Sequence, residues 1–121
     1  MQESGEMYLE TIHKLKQESD CVHAIDISRE MGVTKPSVSK ALNKLVDSGH
    51  IKIKENGCLM LTAKGKQVAE MIYERHLLLS NVLERLGVSH ETAVKDACRI
   101  EHYITPETFE AIKKHVEDKN D

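Results

Sequence analysis

Large aromatic side chains are nearly absent from this sequence, which has no Trp, one Phe and three Tyr among its 121 residues. Proteins that bind single-stranded nucleic acid stack aromatic side chains on the bases, so this composition disfavours that class of protein. No apolar run approaches the ~20 residues of a membrane-spanning helix, and the N-terminal segment lacks the pattern of a signal peptide. With 40% hydrophobic residues, 31% charged residues and two prolines, the composition predicts a soluble, helix-rich globular protein.

Cysteine is also scarce, with three residues at wide spacing. An odd and widely spaced set does not predict a disulfide framework. A reducing compartment, the cytoplasm, is therefore the expected location of the protein.

The formal net charge of −3 is distributed unevenly along the chain. Residues 34–66 contain seven lysines and two acidic residues, a balance of +5 that leaves −8 for the remainder. A basic middle between acidic ends favours a face that binds phosphate. An ordinary solvated, lysine-rich surface would have the same composition, so charge alone leaves both interpretations open.

The pattern of the first 48 residues predicts a helix-turn-helix. A helix over residues 4–17 carries an apolar stripe and precedes a short helix over residues 24–31. Gly32 is a natural left-handed stop for that short helix. Thr34 then caps another helix, which has Pro36 in its first turn and a polar outer face. A short helix, a glycine turn and a polar-faced helix are typical of the helix-turn-helix.

A β-hairpin is predicted directly after this unit. Residues 51–53 and 58–61 are β-prone, and Asn56-Gly57 between them is a strong signal for a hairpin turn. A hairpin at this place is the wing of a winged-helix domain, in which the second helix enters the major groove and wing lysines meet phosphate. The side chains expected to contact DNA are those of Thr34, Lys35, Pro36, Ser37, Ser39, Lys40, Asn43, Lys44, Lys52 and Lys54. A winged helix used for protein contact is the alternative.

A long helix and two shorter ones are predicted in the second half. Apolar residues repeat with helical spacing after a cap at Thr62, over about seven turns. This is too long for one small domain to cover, so we interpret the helix as a strut between a winged-helix domain, residues 1–72, and a helical domain, residues 73–121. The helical domain encloses little core alone, which favours a homodimer. The expected fold is mainly α with a small β-hairpin wing.

Cys98, Glu101 and His102 form a possible metal-binding set. At spacings of three and four residues they share one face of a helix predicted to run to about residue 104. A thiol, a carboxylate and an imidazole together suit a divalent transition metal, but such ions take four to six ligands. A buried Cys beside a surface Glu and His is the alternative interpretation of this spacing.

Five short motifs occur in a characteristic order along the chain. They are Glu6-Met7-Tyr8-Leu9-Glu10, Pro36-Ser37-Val38-Ser39, Leu61-Thr62-Ala63-Lys64-Gly65, Arg75-His76 and Ala97-Cys98-Arg99-Ile100-Glu101-His102. Together they resemble the diphtheria toxin repressor and manganese transport regulator family of metal-dependent transcriptional repressors, over nearly the whole chain. The resemblance implies a winged helix-turn-helix domain that binds double-stranded DNA, a helical dimerisation domain, and a regulatory metal bound between them.

The resemblance also places the family's metal ligands on this chain. They fall on Met7, Glu10, His76, Cys98, Glu101 and His102. Met7 and Cys98 look like the iron-responsive branch, whereas Glu10 is similar to the manganese branch. Two soft sulfur donors disfavour Mn²⁺, so Fe²⁺ is the expected cofactor, with Mn²⁺ second and Co²⁺, Ni²⁺ or Zn²⁺ as substitutes. Three points remain open. They are whether Cys98 coordinates through its carbonyl, whether Glu10 pairs with Lys14 instead of a metal, and whether one or two ions bind per subunit.

The chain departs from the iron-type pattern at two positions and at its end. Ser80 and Val94 stand where that branch has ligands of an ancillary site, which we therefore expect to be absent in its usual form. We also expect no SH3-like third domain, because the sequence is similar to the short form of the family.

The resemblance implies control of DNA binding by metal. An ion that joins the two halves would fix the distance between the recognition helices of a dimer, and a palindromic operator requires half-sites ~34 Å apart or a multiple of it. Metal would then shift the population towards the DNA-competent state. The alternatives are a Mn²⁺-responsive repressor and a metal-independent winged-helix regulator. An enzyme is disfavoured because the donors would be consumed as ligands and no catalytic triad or phosphate loop is evident.

Overall fold

The computed structural model describes residues 3–119, which form six α-helices and one two-stranded antiparallel sheet. The helices and strands are α1 (Glu3–Lys16), α2 (Ala24–Met31), α3 (Lys35–Asp47), β1 (Ile51–Ile53), β2 (Leu59–Leu61), α4 (Ala63–Arg85), α5 (His90–Ile100) and α6 (Pro106–Lys119). This confirms the predicted mainly α fold with a small hairpin. The chain divides into two compact units between Glu70 and Met71, so that α4 begins in the first unit and ends in the second.

The first unit has the helix-turn-helix that the sequence predicts. Gly32 ends α2 in the left-handed conformation, with φ of 68°, a backbone angle at which glycine carries no Cβ penalty. Thr34 caps α3, because its Oγ1 accepts the N–H of Ser37 at 3.3 Å. Helices α1, α2 and α3 share one apolar core, which includes Leu9, Ile12, Ile27, Val38 and Leu42.

The predicted wing is a hairpin with three residues in each strand. Ile51 lies opposite Leu61, and Ile53 lies opposite Leu59. The turn closes through the N–H of Gly57, which donates to the Lys54 carbonyl at 2.9 Å. The hairpin is fastened to the core because Ile51 and Leu59 are 1% exposed.

A disulfide in the first unit corrects the expectation from the cysteine count. Cys21 and Cys58 are joined, with their Cα atoms 5.1 Å apart. They are 37 positions apart in sequence, and the segment before α2 brings them together by lying beside β2. There the N–H of Leu59 donates to the Val22 carbonyl at 2.8 Å. Sequence spacing does not reveal this contact.

The second unit corrects the predicted end of α5. That helix is capped by Ser89, whose Oγ accepts the N–H of Thr92 at 3.4 Å, and it ends at Ile100 rather than near residue 104. Glu101 keeps helical backbone angles as the C-cap residue, and its N–H donates to the Ala97 carbonyl. His102 lies beyond the helix in a turn. The shared helix face therefore holds for Cys98 and Glu101, but not for His102.

Among the described residues of the second unit, five apolar side chains have low exposure. They are Ile72, Leu79, Ala93, Ala97 and Phe109, each at most 5% exposed.

No helix in the described part of the chain combines the length and apolarity that a membrane crossing requires.

Candidate metal centre and nucleic-acid interface

Three of the predicted metal ligands converge within the second unit. His76 on α4, Cys98 on α5 and Glu101 at the end of α5 each offer a ligand atom, and these atoms all lie within 4.8 Å of one another. Glu101 is fully buried, the His76 side chain is 20% exposed, and Cys98 is an exposed thiol. A buried carboxylate is costly unless a cation or hydrogen bonds compensate it. Together with the nitrogen, oxygen and sulfur chemistry of the set, this burial fits a divalent transition metal.

Glu101 is at the centre of this cluster. Its Oε2 lies 2.9 Å from Nδ1 of His76, and its Oε1 lies 3.3 Å from Nε2 of His102. The carboxylate thus lies between two imidazoles that come from different segments of the second unit. His102 is close to the cluster even though it lies outside the helix.

Arg75 positions the segment that carries Glu101, a role that the sequence analysis missed. The guanidinium is buried, and its Nη1 donates to the carbonyls of Glu101 at 3.1 Å and Ile104 at 3.3 Å. It also lies 5.4 Å from the centre of the Phe109 ring, within cation–π range. Arg75 was recognised only as part of a motif. Its partners are main-chain carbonyls, which have no sequence signature.

Met7 and Glu10 lie on α1 in the first unit. The backbone carbonyl of Met7 accepts the Thr11 hydroxyl at 2.8 Å, while Nζ of Lys14 lies 2.7 Å from a carboxylate oxygen of Glu30. Lys14 thus pairs with Glu30, on α2. The membership of Met7 and Glu10 in the ligand set stays a prediction.

The predicted DNA-contacting residues all lie on the surface of the first unit. Each of the ten side chains is exposed, whereas Val38, Leu42 and Leu45 on the opposite face of α3 are buried. Thr34 caps the helix by accepting the N–H of Ser37, so both residues lie at its N-terminal end, and Lys52 and Lys54 lie on the hairpin. Within residues 3–119, no ion pair involves the five lysines of this surface. Their charges are therefore available to phosphate.

His50 joins the end of α3 to the wing and to the start of α4. Its Nδ1 lies 2.6 Å from the Ser48 hydroxyl, and its carbonyl accepts the N–H of Thr62 at 3.0 Å. Burial lowers the pKa of His50 below its ordinary value, and the nearby Lys64 ammonium adds to this effect. The neutral imidazole is therefore the form that the folded unit favours.

Two family models match the chain in succession. The model described as the iron dependent repressor N-terminal DNA binding domain matches residues 1–59. The model described as the iron dependent repressor metal binding and dimerisation domain matches residues 62–120. Nearly the whole chain is therefore covered, in the order that the sequence motifs predicted.

Similar proteins are known by sequence and by structure. The transcriptional regulator MntR of Escherichia coli O6:H1 (strain CFT073) is 36% identical over 106 residues, which are 88% of this chain and 68% of that protein. The crystal structure of T. acidophilum IdeR is 27% identical with a TM-score of 0.80, and the match covers 93% of this chain and 53% of that one. A manganese-dependent transcriptional repressor in complex with manganese is 23% identical with a TM-score of 0.85. This match covers 93% of this chain and 52% of that one. The chain spans about two thirds of the first relative and about half of the two solved chains.

Proposed function

Because the chain belongs to the iron-dependent repressor family of metal-dependent transcriptional regulators, which are not enzymes, we propose that it represses transcription by binding a palindromic operator when it is loaded with metal. The observation that carries the proposal is the convergence of His76, Cys98 and Glu101 around a buried carboxylate. The winged helix in the other unit supplies the DNA-binding surface. Because a repressor must reach its operator DNA, we propose that the protein is cytoplasmic.

The proposed ligand set is larger than the cluster within the second unit. Three donors leave a transition metal short of its usual four to six ligands. We propose His102 as a fourth ligand because its imidazole lies beside the Glu101 carboxylate. Met7 and Glu10 complete the set on the strength of the family resemblance.

Fe²⁺ is the proposed physiological metal. In the proposed set, Cys98 supplies a thiol and Met7 adds a thioether. Both sulfur donors suit Fe²⁺ better than Mn²⁺, because Mn²⁺ prefers oxygen ligands. A Mn²⁺-responsive repressor is the second candidate, supported by similarity to proteins named MntR. Co²⁺, Ni²⁺ and Zn²⁺ are the proposed substitutes in vitro.

DNA binding is proposed to use two copies of the chain. The N-terminal part of α3 would read base edges in the major groove, and Lys52 and Lys54 would contact phosphate. Several large apolar side chains of the second unit are exposed, as expected for a homodimer surface. These are Met71, Tyr73, Leu77, Leu86 and Tyr103.

The decisive experiment is a metal titration of operator binding. Fe²⁺ under anaerobic conditions, and Mn²⁺ in parallel, are added to reduced protein with a palindromic operator selected from random DNA. We expect Fe²⁺ to raise DNA affinity by about tenfold or more, which corresponds to ~1.4 kcal/mol of coupling. Glu101→Ala should abolish this response, and Met7→Asp should shift it towards Mn²⁺.

A matched control for Glu101→Ala is Glu91→Ala, which removes an exposed carboxylate from α5, the helix that Glu101 caps. It should leave the metal response intact. Equal DNA affinity in metal and in chelator would contradict the proposal and favour a metal-independent winged-helix regulator.

A further inference from the structure

A second group of metal-binding side chains lies in the first unit, apart from the proposed regulatory site. Cys21 and His23 come from the segment before α2, and Cys58 directly precedes β2. One ligand atom from each lies within 4.8 Å of the others. Nothing in DNA binding or in the regulatory metal site uses these three residues.

We propose that Cys21, His23 and Cys58 of the reduced protein bind a Zn²⁺ ion that fastens the wing to the helix-turn-helix. Two thiolates and one imidazole are a donor set that Zn²⁺ prefers. Three protein ligands leave the fourth tetrahedral position to water. The site has its own ligands and does not depend on which metal the regulatory site binds.

One distance within the group suits tetrahedral coordination, whereas the two sulfurs, bonded in the disulfide, have to separate to about 3.8 Å on reduction to bind one ion. Zn–S bonds of ~2.3 Å and Zn–N bonds of ~2.0–2.1 Å place a sulfur and a nitrogen about 3.6 Å apart on one tetrahedral edge. Sγ of Cys21 lies 3.5 Å from Nε2 of His23. Cys58 is 5% exposed and Cys21 is half-buried, so the ion would be held at the edge of the core.

Asp26 lies beside the histidine and holds its backbone. Its Oδ2 accepts the backbone N–H of His23 at 2.9 Å and lies 3.9 Å from Nδ1 of the ring. Histidine ligands usually donate their second ring N–H to a carboxylate or carbonyl, which fixes the tautomer and the ring direction. Nδ1 is beyond hydrogen-bond distance of this carboxylate, so the ring would have to turn for Asp26 to accept its N–H when Nε2 binds the ion.

The disulfide is the oxidised alternative to this site. If hydrogen peroxide is the oxidant, the two thiolates lose two electrons and form the S–S bond. The peroxide takes up these electrons and two protons and becomes two water molecules, while the Zn²⁺ leaves unchanged in charge. The same sulfur atoms cannot serve both states, so metal binding and the disulfide exclude each other.

The site lies at the joint between the hairpin and α2. Nε2 of His23 is 3.2 Å from the Asn56 carbonyl at the tip of the hairpin, a hydrogen bond that metal binding through Nε2 would replace. A Cβ added at Gly57 would lie 3.1 Å from Cδ2 of the His23 ring, so the ring packs closely on the turn. A bound ion would therefore hold the wing lysines in place relative to α3.

Co²⁺ is the spectroscopic probe for this site, because its thiolate complexes show a charge-transfer absorption that complexes without sulfur lack. Full-length protein is reduced, stripped with chelator and titrated anaerobically. Cys98→Ser removes the thiol of the other cluster and is the background for all variants. In this background we expect the thiolate absorption to persist, and we expect adding Cys21→Ser to abolish it. Absence of the absorption in Cys98→Ser alone would overturn the proposal.

His23→Gln separates a metal site from a simple disulfide. We expect it to weaken Zn²⁺ binding by about tenfold or more in competition with a chelator, while peroxide still forms the Cys21–Cys58 disulfide at the normal rate. His90→Gln, an exposed histidine outside the group, is the matched control and should bind normally. Unchanged Zn²⁺ affinity in His23→Gln would also overturn the proposal. Circular dichroism confirms folding of each variant.

Discussion

Arg75 illustrates how one side chain can determine the place of another. Its guanidinium donates to two carbonyls of the segment 101–104, and that segment carries the Glu101 carboxylate towards His76. Lysine at this position would keep the charge but lose the planar arrangement of donors and the stacking on Phe109.

We expect Arg75→Lys to lower the free energy of unfolding by about 1–3 kcal/mol, because at least one buried carbonyl loses its donor. Metal affinity should fall as well, since Glu101 loses its support. Urea denaturation and metal titration provide the two measurements. Arg85→Lys, at an exposed position on the same helix, is the control and should change neither. Full stability in Arg75→Lys would mean that the turn at 101–104 does not depend on the guanidinium.

Sequence reasoning predicted the ligand types in the second unit but not how they are arranged. Cys98 and Glu101 share a helical register, which spacing reveals. The turn that holds His102 depends on Arg75, 26 positions before Glu101, and local sequence carries no sign of that contact. The Cys21–Cys58 pair was missed for the same reason. The domain boundary at residues 72 and 73 and the six-residue ligand set remain predictions.

At the scale of the elements, α4 begins in close contact with the segment that joins α3 to β1. Gly65 lies against the carbonyl of His50, and a Cβ there would collide with that oxygen. The predicted elements of the first unit were recognisable from Thr34, Gly32 and Asn56-Gly57, which are local signals. This contact was not recognisable, because it depends on how two elements pack.

We expect Gly65→Ala to destabilise the first unit by about 1–3 kcal/mol through this overlap. In an exposed helix the same change normally stabilises, by about 0.5–1 kcal/mol. A lower urea midpoint in Gly65→Ala would therefore support the overlap with the His50 carbonyl. Lys66→Ala, at the next and exposed position, serves as control. A stabilising effect of Gly65→Ala would show that the backbone can move aside at no cost.

His50 makes the stability of the first unit dependent on pH. Its pKa is lowered in the folded state by burial and by Lys64, so the unfolded state binds more protons as the pH approaches the ordinary histidine pKa. Stability contributed by neutral His50 is therefore present above that pKa and is lost as the pH falls below it.

We expect the urea midpoint of the wild type, in chelator, to fall between about pH 7.5 and about pH 5.5. His50→Gln should reduce this fall, because it removes the group that titrates. The comparison between the two proteins cancels the contribution of the other histidines. An identical pH dependence in both would contradict the assignment to His50.

At the scale of the whole molecule, metal and DNA binding are coupled equilibria in the proposed function. Coupling is reciprocal, so a metal that raises DNA affinity by a given factor must have its own affinity raised by DNA to the same extent. We expect Fe²⁺ to bind about tenfold or more tightly in the presence of a saturating operator than in its absence. Isothermal titration with and without operator measures this, and an unrelated duplex is the control. Equal Fe²⁺ affinity in both would disprove the coupling.

The hydrogen bond from the Leu59 N–H to the Val22 carbonyl joins the segment before α2 to the outer edge of β2. That amide points away from β1, so the hairpin alone would leave it open to solvent. Its hydrogen–deuterium exchange therefore reports how often the joint opens, separately from the opening of the hairpin. The exchange rate of the Leu59 amide thus measures how often the wing separates from the segment before α2. This rate can be compared between the metal and redox states of the protein in solution.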